Sequence, residues 1–553
     1  MSKPAVSDFL FLPLGGAEEI GMNLNLYGYG GKWLIVDCGV TFGDDSTPGV
    51  ELILPDPAWI VERRKDLIGI VATHAHEDHI GAIPYLWTRL GCPVYATPFT
   101  AAVLKRKLQE QDLTRRVEIR PLPLSGKIRI APFDLELIHL THSTPEPMAL
   151  AITTPAGTVL HTGDWKFDPD PLIGPVSDEA ALRRVGDAGV LALVGDSTNV
   201  FVPGEAGSEA DVRKNLEEVV GRYSARVVVA CFASNVARLE SIARVAATHD
   251  RHAALVGRSL WRMYESAKEA GYLRDLPPFV SEQDAGFLPR DKVVMICTGS
   301  QGEPRSALSR IASGTHPHVV LEPGDAAVFS SRNIPGNERS IAKLQNQLSK
   351  LGIEIVTTAE EAGVHVSGHP ARDELARMYH WVRPRIAIPV HGEARHLAEH
   401  AKLARECQVP EAVVAENGAM IRLAPGPATI IDHVTAGRLA LDGNKLVPLD
   451  GGAMRARKKL MINGIAVVTL VLGKGGKLEA DPMVSLQGVI DGDGAQAVID
   501  GAVGAVTEAF EDLGKAARRD DDAVREAARL AVRRWLNAGL GKKPQTEVHV
   551  VRI

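Results

Sequence analysis

Residues 73–82 read THAHEDHIGA, and this stretch decides the fold class of the chain. Four side chains that can bind a metal, those of His74, His76, Asp78 and His79, fall within six positions. The strand-like LIGIVATH precedes them and the helix-like HIGAIPYLWTRL follows, so they lie on a strand-to-helix loop. His74 and His76 can face one side of an extended loop, whereas Asp78 and His79 stand at the helix start. The spacing therefore suits two neighbouring metal ions better than one.

Further ligands follow other predicted strands. His142 comes directly after FDLELIHL, Asp164 after TVLH, and His391 much later after RIAIPV. A carboxylate can bridge two ions, so Asp164 is the candidate bridge between metals ~3.5–4 Å apart. Asp37, beside the strand-like KWLIV, is expected to orient a ligand rather than to bind an ion. Imidazole and carboxylate ligands without cysteine predict zinc or manganese.

The composition is that of a folded protein. The 553 residues predict three or four domains at ~150 residues each, and a hydrophobic content of 45% is typical of globular chains. No run of ~18 apolar residues and no signal-peptide pattern occurs, which predicts no membrane span. Five scattered cysteines without a CxxC pair indicate the reducing cytoplasm. A net charge of −6 means that an RNA partner requires a local basic cleft or metal ions.

The chain changes its pattern of elements twice. Short apolar runs alternate with loops over the first two hundred residues, and each candidate ligand lies just past a predicted strand, as in layered α/β folds. From about 208 to 360, SEADVRKNLEEVVGRY, ARVVVACFASN and NVARLESIARVAATH predict an inserted parallel α/β unit. Histidine-rich strands return at GVHVSGHP and RIAIPVHGEARH. A stretch rich in Gly and Pro near 424–453 then leads, as a linker, to a small α+β domain.

The order of these motifs resembles a known superfamily. HxHxDH at 74–79, His142, the Asp164 of HTGD and the upstream Asp37 are similar to the successive motifs of the metallo-β-lactamase fold. GDSTN with Asp196, HVSGH with His369 and PVHGE resemble the three additional motifs of its β-CASP branch, which acts on nucleic acids. GGAEEIGMN, TGSQGEP at 298–304 and NIPGNE at 333–338 narrow the resemblance to the ribonuclease J family, over essentially the whole chain.

The resemblance implies an α/β fold: a metallo-β-lactamase αββα sandwich, an inserted β-CASP α/β domain and a small C-terminal α+β domain. The implied boundaries are 1–207 and 361–449 for the split lactamase-type domain with its linker, 208–360 for the β-CASP domain, and 450–553 for the C-terminal domain. The implied function is a 5′-to-3′ exoribonuclease that prefers 5′-monophosphate ends, with endonuclease activity, in RNA maturation and decay. Two divalent ions per subunit, Zn or Mn, and a homodimer or homotetramer formed through the C-terminal domain are implied as well.

The resemblance also assigns roles to residues. One ion is held by His74, His76, His142 and Asp164, and the other by Asp78, His79, Asp164 and His391. His369 stabilises the transition state or protonates the leaving 3′-oxygen and is oriented by Asp196; Asp37 and Asp78 complete the catalytic set.

A pocket for the RNA 5′-phosphate is expected about one nucleotide from the metals. Ser234 and Asn235 stand at a helix start, where an anion is favoured, and His365 and Ser367 of HVSGH complete the pocket. Ordinary helix capping is the alternative for Ser234 and Asn235.

Three rival functions remain open. A small-molecule metallohydrolase of the thioesterase or lactonase type explains HxHxDH but leaves HVSGH and the insertion over 208–360 unexplained. A DNA nuclease of the same fold differs only in the finer resemblance. A catalytically silent scaffold conflicts with the complete ligand set.

Overall fold

The computed structural model describes residues 5–44, 46–334 and 336–553, which form two compact units. The first unit lies within Met1–Thr41 and Leu54–Gly437, and the second within Phe42–Ile53 and Arg438–Ile553. Residues 1–4 of the expected first domain and Pro335 of the NIPGNE motif lie outside the described residues.

An eight-stranded sheet forms one half of the lactamase-type core. Its neighbouring strands are, in order, Thr429–His433, Ala419–Ala424, Phe9–Gly15, Leu24–Tyr29, Lys32–Val36, Leu67–Val71, Val94–Ala96 and Ile119–Pro121. Lys32–Val36 and Leu67–Val71 run parallel, and the Asp37 N–H donates to the Val71 carbonyl at 2.9 Å. The residues that follow these two strands therefore meet at one edge of the sheet.

A seven-stranded sheet forms the other half. Its strands are, in order, Gly126–Ile130, Phe133–His139, Met148–Thr154, Gly157–His161, Ala192–Asp196, Ile386–Val390 and Glu411–Ala412. Gly157–His161, Ala192–Asp196 and Ile386–Val390 are mutually parallel. Asp164, Asp196 and His391 accordingly stand at or just beyond the same ends of neighbouring strands.

The two sheets pack face to face through apolar side chains. Phe9, Phe11 and Tyr27 of the first sheet and Phe133 and Leu150 of the second are buried in one cluster. The alternation of buried side chains along half-polar strands such as FDLELIH directs one face inward. This double-sheet core is the centre of the expected sandwich.

Helices cover the outer face of each sheet, so the expected αββα layering is confirmed. On the first sheet, Ile80, Ile83 and Phe99 are fully buried; on the second, Leu182 and Leu375 belong to a separate apolar cluster. The helices of these layers are Ala58–Val61, Glu77–Ile80, Ile83–Leu90, Pro98–Glu110, Glu179–Ala188, Arg372–Val382 and Ala394–Glu406. A short pair of strands, Ala17–Glu18 and Gly392–Glu393, is added beside them.

The inserted segment forms a six-stranded, fully parallel sheet, as expected. Its strands are, in order, Val280–Ser281, His252–Val256, Val293–Cys297, Val227–Ala230, Ala326–Phe329 and Glu354–Val356. Its helices are Glu209–Gly221, Val236–Thr248, Arg258–Glu269, Glu282–Ala285, Ala307–Ala312 and Glu338–Lys350, with short 3₁₀ turns at Arg290–Lys292 and Ala362–Val364. The predicted helix starts are confirmed, because Ser208 and Asn235 each cap a helix through their side chains.

The remaining strands form two small sheets. Lys445–Pro448, Arg438–Asp442, Leu52–Pro55 and Thr41–Phe42 form one, and Met483–Gln487, Ile465–Leu472 and Gln545–Arg552 form the other. The helices are Gly452–Asn463, Ala495–Glu511 and Asp521–Leu540, with a 3₁₀ turn at Ala517–Arg519. The stretch near 424–453, expected to be a linker, thus contains regular strands, because the apolar residues of RLALD and KLVP pair in an antiparallel hairpin despite the surrounding Gly and Pro. The domain boundaries themselves stay predictions.

Among the residues that the structure describes, none of the helices combines the length and apolar content that a membrane crossing requires.

Candidate metal centre

Three imidazoles converge at the edge of the sheets. Nε2 of His74 lies 3.1 Å from Nδ1 of His76, which lies 3.0 Å from Nε2 of His142. With metal–nitrogen bonds of ~2.1 Å, a tetrahedral ion separates its nitrogen ligands by ~3.4 Å. The distances between these three nitrogens are therefore close to those of three nitrogen ligands on one tetrahedral metal ion. His74, His76 and His142 form, with Asp164, the first ligand cluster.

Asp164 also belongs to a second ligand cluster with Asp78, His79 and His391. Its Oδ2 lies 3.2 Å from Nε2 of His79 and 3.5 Å from Nε2 of His391. The same oxygen lies 3.8 Å from Nε2 of His74, in the first cluster. Oδ2 of Asp78 is 3.6 Å from the Nε2 atoms of both His79 and His391. All seven ligands predicted from the sequence are thus together, and Asp164 lies between the two groups.

The donor atoms fit bound cations. Both carboxylate oxygens of Asp164 and Nε2 of His391 are buried without a hydrogen-bond partner. Buried polar atoms are rarely left unpaired, because each such atom costs free energy. Imidazole nitrogens and carboxylate oxygens are the ligands of zinc and manganese. The residues present therefore fit a divalent metal centre.

The electrostatics of the two clusters differ. Burial is the largest cause that lowers the pKa of His74, His76 and His142, to about 4 for His76, which keeps the ring nitrogens neutral. Burial lowers the pKa of His79 too, but Asp164, Asp78 and Asp37 outweigh it and raise the pKa. The second cluster thus has the excess of negative charge.

Two residues hold these ligands from behind. Oδ2 of Asp37 accepts a hydrogen bond from Nδ1 of His79 at 2.7 Å and from the Thr73 hydroxyl at 2.8 Å. Nδ2 of Asn23 lies 3.0 Å from Nδ1 of His391 and donates to the Asp78 carbonyl at 3.0 Å. The structure places Asp37 where the sequence predicted an orienting residue, whereas sequence reasoning missed Asn23. The GMN stretch that contains Asn23 has no metal-ligand chemistry that could have identified it.

His369 and Asp196 form a pair beside the ligands. Nδ1 of His369 is 2.8 Å from Oδ2 of Asp196, whose Oδ1 accepts the Thr198 N–H at 2.8 Å. Burial lowers the pKa of His369, but Asp196 and Asp164 outweigh it and raise that pKa to about 9. The Gly368 carbonyl next to it is 2.5 Å from Nδ1 of His142, so the HVSGH loop contacts the first ligand cluster directly.

The four residues expected to bind a 5′-phosphate have different surroundings. Asn235 is buried, accepts the Arg238 N–H at 2.9 Å and donates to Glu209 at 3.2 Å, so the capping alternative describes it. Ser234 lies half-buried at the turn before it. No hydrogen bond among the described residues joins either one to His365 or Ser367.

Ser367 lies in a polar network that sequence reasoning missed, and His365 is half-buried near it. Oγ of Ser367 accepts hydrogen bonds from Nδ2 of Asn199 at 2.8 Å and from the His369 N–H at 3.2 Å. Nδ1 of His365 is buried without a partner. Burial lowers the pKa of His365, and the nearby cations of Arg238, Lys166 and Arg332 lower it further. Asn199 belongs to the GDSTN motif, in which the sequence pattern singles out only the aspartate.

Comparison with protein families gives four matches along the chain. They are the metallo-beta-lactamase superfamily over residues 23–218, the ribonuclease J beta-CASP domain over 224–348, the Zn-dependent metallo-hydrolase RNA specificity domain over 361–413, and the ribonuclease J C-terminal domain over 452–553. The lactamase and RNA-specificity matches contain all the ligands described above.

Curated relatives cover nearly the whole chain. Ribonuclease J of Sinorhizobium meliloti is 44% identical over 99% of this chain and 98% of its own length. Ribonuclease J of Mycobacterium tuberculosis is 39% identical over 98% and 96%, and that of Thermus thermophilus is 34% identical over 86% and 83%. A crystal structure of an Enterococcus faecalis protein of unknown function shares the fold over 75% of this chain and 100% of that chain, at 17% identity and a TM-score of 0.51. With the two ligand clusters and these relatives, the chain belongs to the ribonuclease J family of the metallo-β-lactamase superfamily.

Proposed function

We propose that the protein is a two-metal ribonuclease that degrades RNA from the 5′ end, prefers a 5′-monophosphate and also cuts internally. The observation that carries this proposal is the pair of ligand clusters that share Asp164 beside His369. The match to the metallo-hydrolase RNA specificity domain and the ribonuclease J relatives support RNA as the substrate. We propose two zinc or manganese ions per subunit.

Two groups of residues have separate roles in the proposed reaction, metal binding and proton transfer. A pair of divalent ions, when bound, lowers the pKa of water and neutralises charge on phosphate oxygens. His74, His76 and His142 would hold one ion, Asp78, His79 and His391 the other, and Asp164 both. Asp196, which is not among the ligands, and Asp164 outweigh burial and raise the pKa of His369 to about 9, which favours a protonated ring.

His369 is therefore the proposed general acid. Its Nδ1 faces Asp196, which leaves Nε2 to protonate the leaving 3′-oxygen or to stabilise the charge that develops there. Cleavage of the P–O3′ bond leaves a 5′-phosphate on the next nucleotide. The shortened RNA is then itself a 5′-monophosphorylated substrate, which permits repeated exonucleolytic steps.

The 5′-phosphate pocket remains part of the proposal. The unpartnered Nδ1 of His365 and the nearby guanidinium of the exposed Arg332 favour an anion. Ser367 and Ser234 would add hydroxyl groups, whereas Asn235 would act by capping the helix Val236–Thr248. The five free cysteines favour a reducing compartment, and we propose the cytoplasm. We also propose that the protein associates with itself through residues 450–553.

The test compares RNA with other substrates. Purified protein with manganese or zinc should release mononucleotides from 3′-end-labelled, 5′-monophosphorylated RNA, and much more slowly from 5′-triphosphate RNA. His74→Ala and Asp78→Ala should each reduce this activity by more than the ~10–100-fold that loss of an outer hydrogen-bond partner costs. His433→Ala, which alters an exposed histidine of the same unit, is the matched control.

Two results would contradict the proposal. If thioesters or lactones are hydrolysed while RNA stays intact, the protein is a small-molecule hydrolase. If single-stranded DNA is degraded faster than RNA of the same sequence, the DNA nuclease alternative holds.

A further inference from the structure

An exposed aromatic ring lies beside the catalytic centre. Phe201, two residues after the GDSTN motif, is 45% exposed. The guanidinium carbon of Arg395 lies 4.6 Å from the centroid of its ring, and the ring of His396 lies 5.2 Å away at 67°. Phe201, Arg395 and His396 are called the Phe201 cluster below. Neither the metal ligands nor the His369–Asp196 pair uses any of them.

The backbone that carries Phe201 is held on both sides. Val200 is fully buried and its N–H donates to the Ser197 carbonyl at 3.2 Å. The Val202 N–H donates to the Asn199 carbonyl at 2.8 Å, and the Val202 carbonyl accepts the Arg372 N–H at 2.9 Å. An aromatic side chain has few rotatable bonds, so a ring on such a loop loses little entropy when a ligand stacks on it.

The cluster packs against the neighbour of a metal ligand. A Cβ atom added to Gly392, the neighbour of His391, would lie 2.9 Å from Cβ of His396 and 3.0 Å from Cβ of Ser197. Ser197 in turn follows Asp196. The Thr198 hydroxyl, on the loop that leads to Phe201, donates to the His391 carbonyl at 3.3 Å. The loop therefore packs against the end of the strand that carries a metal ligand.

A second arginine, Arg332, lies near the cluster. The exposed Arg332 donates to the side-chain oxygen of Asn199. Burial lowers the pKa of His396, Glu393 opposes this, and Arg395 and Arg332 lower the pKa further. The carboxylate of Glu393 lies 3.8 Å from Nδ1 of His396. The guanidinium of Arg395 thus lies over the Phe201 ring, and that of Arg332 is bound to the loop on which Phe201 lies.

We propose that the Phe201 cluster is a stacking platform for one nucleobase of single-stranded RNA, next to the phosphate that is cleaved. The base stacks on the Phe201 ring or on the guanidinium plane of Arg395, and Arg332 attracts the adjoining backbone phosphate. Aromatic rings beside a cationic backbone track are a general means of binding single strands, and such stacking accepts every base. This inference rests on the proposed ribonuclease function and assigns a substrate contact to it.

The first experiment measures kcat and KM on 5′-monophosphorylated RNA. Phe201→Ala should lower kcat/KM by about 5- to 150-fold, the effect of losing one stacked base, and mainly through KM. Phe201→Trp should stay near the wild type, and Phe201→Leu, which keeps an apolar side chain without a ring, should behave like alanine. Phe287→Ala is the matched control, because Phe287 is 90% exposed elsewhere in the first unit. Equal effects of Phe201→Ala and Phe287→Ala would overturn the proposal.

The second experiment removes bases from the RNA one at a time. At one position an abasic nucleotide should weaken the wild type as much as Phe201→Ala does, and should cost the Phe201→Ala variant nothing further. If every abasic position affects both proteins equally, no base stacks on Phe201 and the proposal fails.

A binding measurement separates this inference from the proposed function. An oligoribonucleotide with 2-aminopurine at that position and phosphorothioate linkages should lose fluorescence on binding the wild type, and Phe201→Ala should abolish the loss. If the loss depends on Phe201 while unmodified RNA is not hydrolysed, the ribonuclease function falls and the platform stands. If RNA is hydrolysed and the loss is unchanged in Phe201→Ala, the platform falls and the function stands.

Discussion

Asp37 orients the candidate metal ligand His79 without belonging to either ligand cluster. Its backbone has a left-handed φ of 65°, which Asp and Asn adopt more readily than other side chains. In this conformation Oδ1 accepts the Thr73 N–H at 2.7 Å, while Oδ2 faces Nδ1 of His79. The contact makes Nδ1 the protonated nitrogen of His79 and leaves the lone pair of Nε2 for an ion.

Asp37→Asn should therefore weaken the second ligand cluster without unfolding the loop. Asparagine tolerates the same φ, but its amide cannot accept the Thr73 and His79 hydrogen bonds as a carboxylate does. We expect a loss of ~10–100-fold in metal affinity or RNA turnover, measured as metal content after dialysis and as kcat. Asp66→Asn, at an exposed ion pair with Lys32, is the control. Full metal occupancy and full activity in Asp37→Asn would contradict this role.

The buried His400, which is not one of the metal ligands, should make the free energy of unfolding depend on pH. Its ring is buried between the Ser197 hydroxyl, 2.8 Å from Nδ1, and the Tyr379 hydroxyl, 2.9 Å from Nε2. Burial lowers its pKa to about 4, whereas an unfolded histidine titrates near ~6.5. The unfolded chain therefore binds the proton first as the pH falls, so this contribution is complete above pH ~6.5 and is lost towards pH ~4.

His400→Gln removes the titrating group. The free energy of unfolding of the wild type relative to this variant should fall by ~2 kcal/mol between pH 7.5 and pH 5. Urea denaturation of both proteins in EDTA at the two pH values measures it, since metal release is then the same in both. Parallel pH profiles would show that His400 is not the group responsible.

A functional residue could be predicted from the sequence where its side chain type and spacing are themselves typical of metal ligands. His74, His76, Asp78 and His79 stand out by spacing, and the structure brings them together with the distant His391. Asn23 and Asn199 could not be read, because an asparagine becomes significant only through the partners that the fold places beside it.

At the scale of elements, two helix starts in the inserted segment are joined by a buried ion pair. Arg238 near the start of Val236–Thr248 is fully buried and binds Glu209 of Glu209–Gly221 through Nε at 3.1 Å and Nη2 at 3.0 Å. Its Nη1 donates to the Ser330 and Val364 carbonyls at 2.9 and 3.3 Å. One guanidinium thus links two helices, a strand end and the segment before HVSGH.

Arg238→Met should destabilise the protein strongly, because it leaves the Glu209 carboxylate buried without its cation. The expected loss is ~3–5 kcal/mol in the free energy of unfolding. Arg238→Lys should also be destabilising, since an ammonium group cannot reproduce the planar fork. Lys214→Met, on the helix Glu209–Gly221 that carries Glu209, breaks only the exposed pair with Asp211 and should cost at most ~0.5 kcal/mol. Thermal and urea unfolding measure all three, and equal stabilities of Arg238→Met and Lys214→Met would refute the expectation.

At the scale of the whole molecule, all the described candidate site residues belong to one of the two units. Every ligand, the His369–Asp196 pair and the Phe201 cluster lie in the first unit. In the second unit, the sheet containing Ile465–Leu472 has its own apolar core with Val506, Val524 and Val532. The second unit also includes Phe42–Ile53, so it is not one continuous stretch of chain.

A chain that ends at Asp450 should keep the metal centre and lose self-association. It retains the strands Arg438–Asp442 and Lys445–Pro448 and removes the complete core around Ile465–Leu472. Metal content and mononucleotide release from short RNA should stay within a few-fold of the full chain, whereas light scattering should show a monomer. Loss of metal from the shortened chain would mean that the second unit supports the centre; an unchanged oligomer would exclude residues 451–553 as the contact.

The large-scale fold was predictable because its strands are apolar, short and followed by polar residues. KWLIV and LIGIV were recognised in this way, as was the helix–strand alternation of the insertion. The strands Arg438–Asp442 and Lys445–Pro448 were missed, since glycines and prolines beside them indicate a linker. The embedding of Phe42–Ile53 in the second unit depends on pairing between distant segments, which no local pattern encodes.

The order of the ligands along the chain has a consequence for synthesis. His74, His76, His142 and Asp164 leave the ribosome first, and the six-stranded sheet of the insertion follows before His391 appears. Domains fold as they are translated, so a nascent chain paused within the insertion has the first ligand cluster but not the second. The first ligand cluster is therefore complete before the insertion is translated, whereas the second stays incomplete until His391 has emerged, so the whole centre can assemble only late in synthesis.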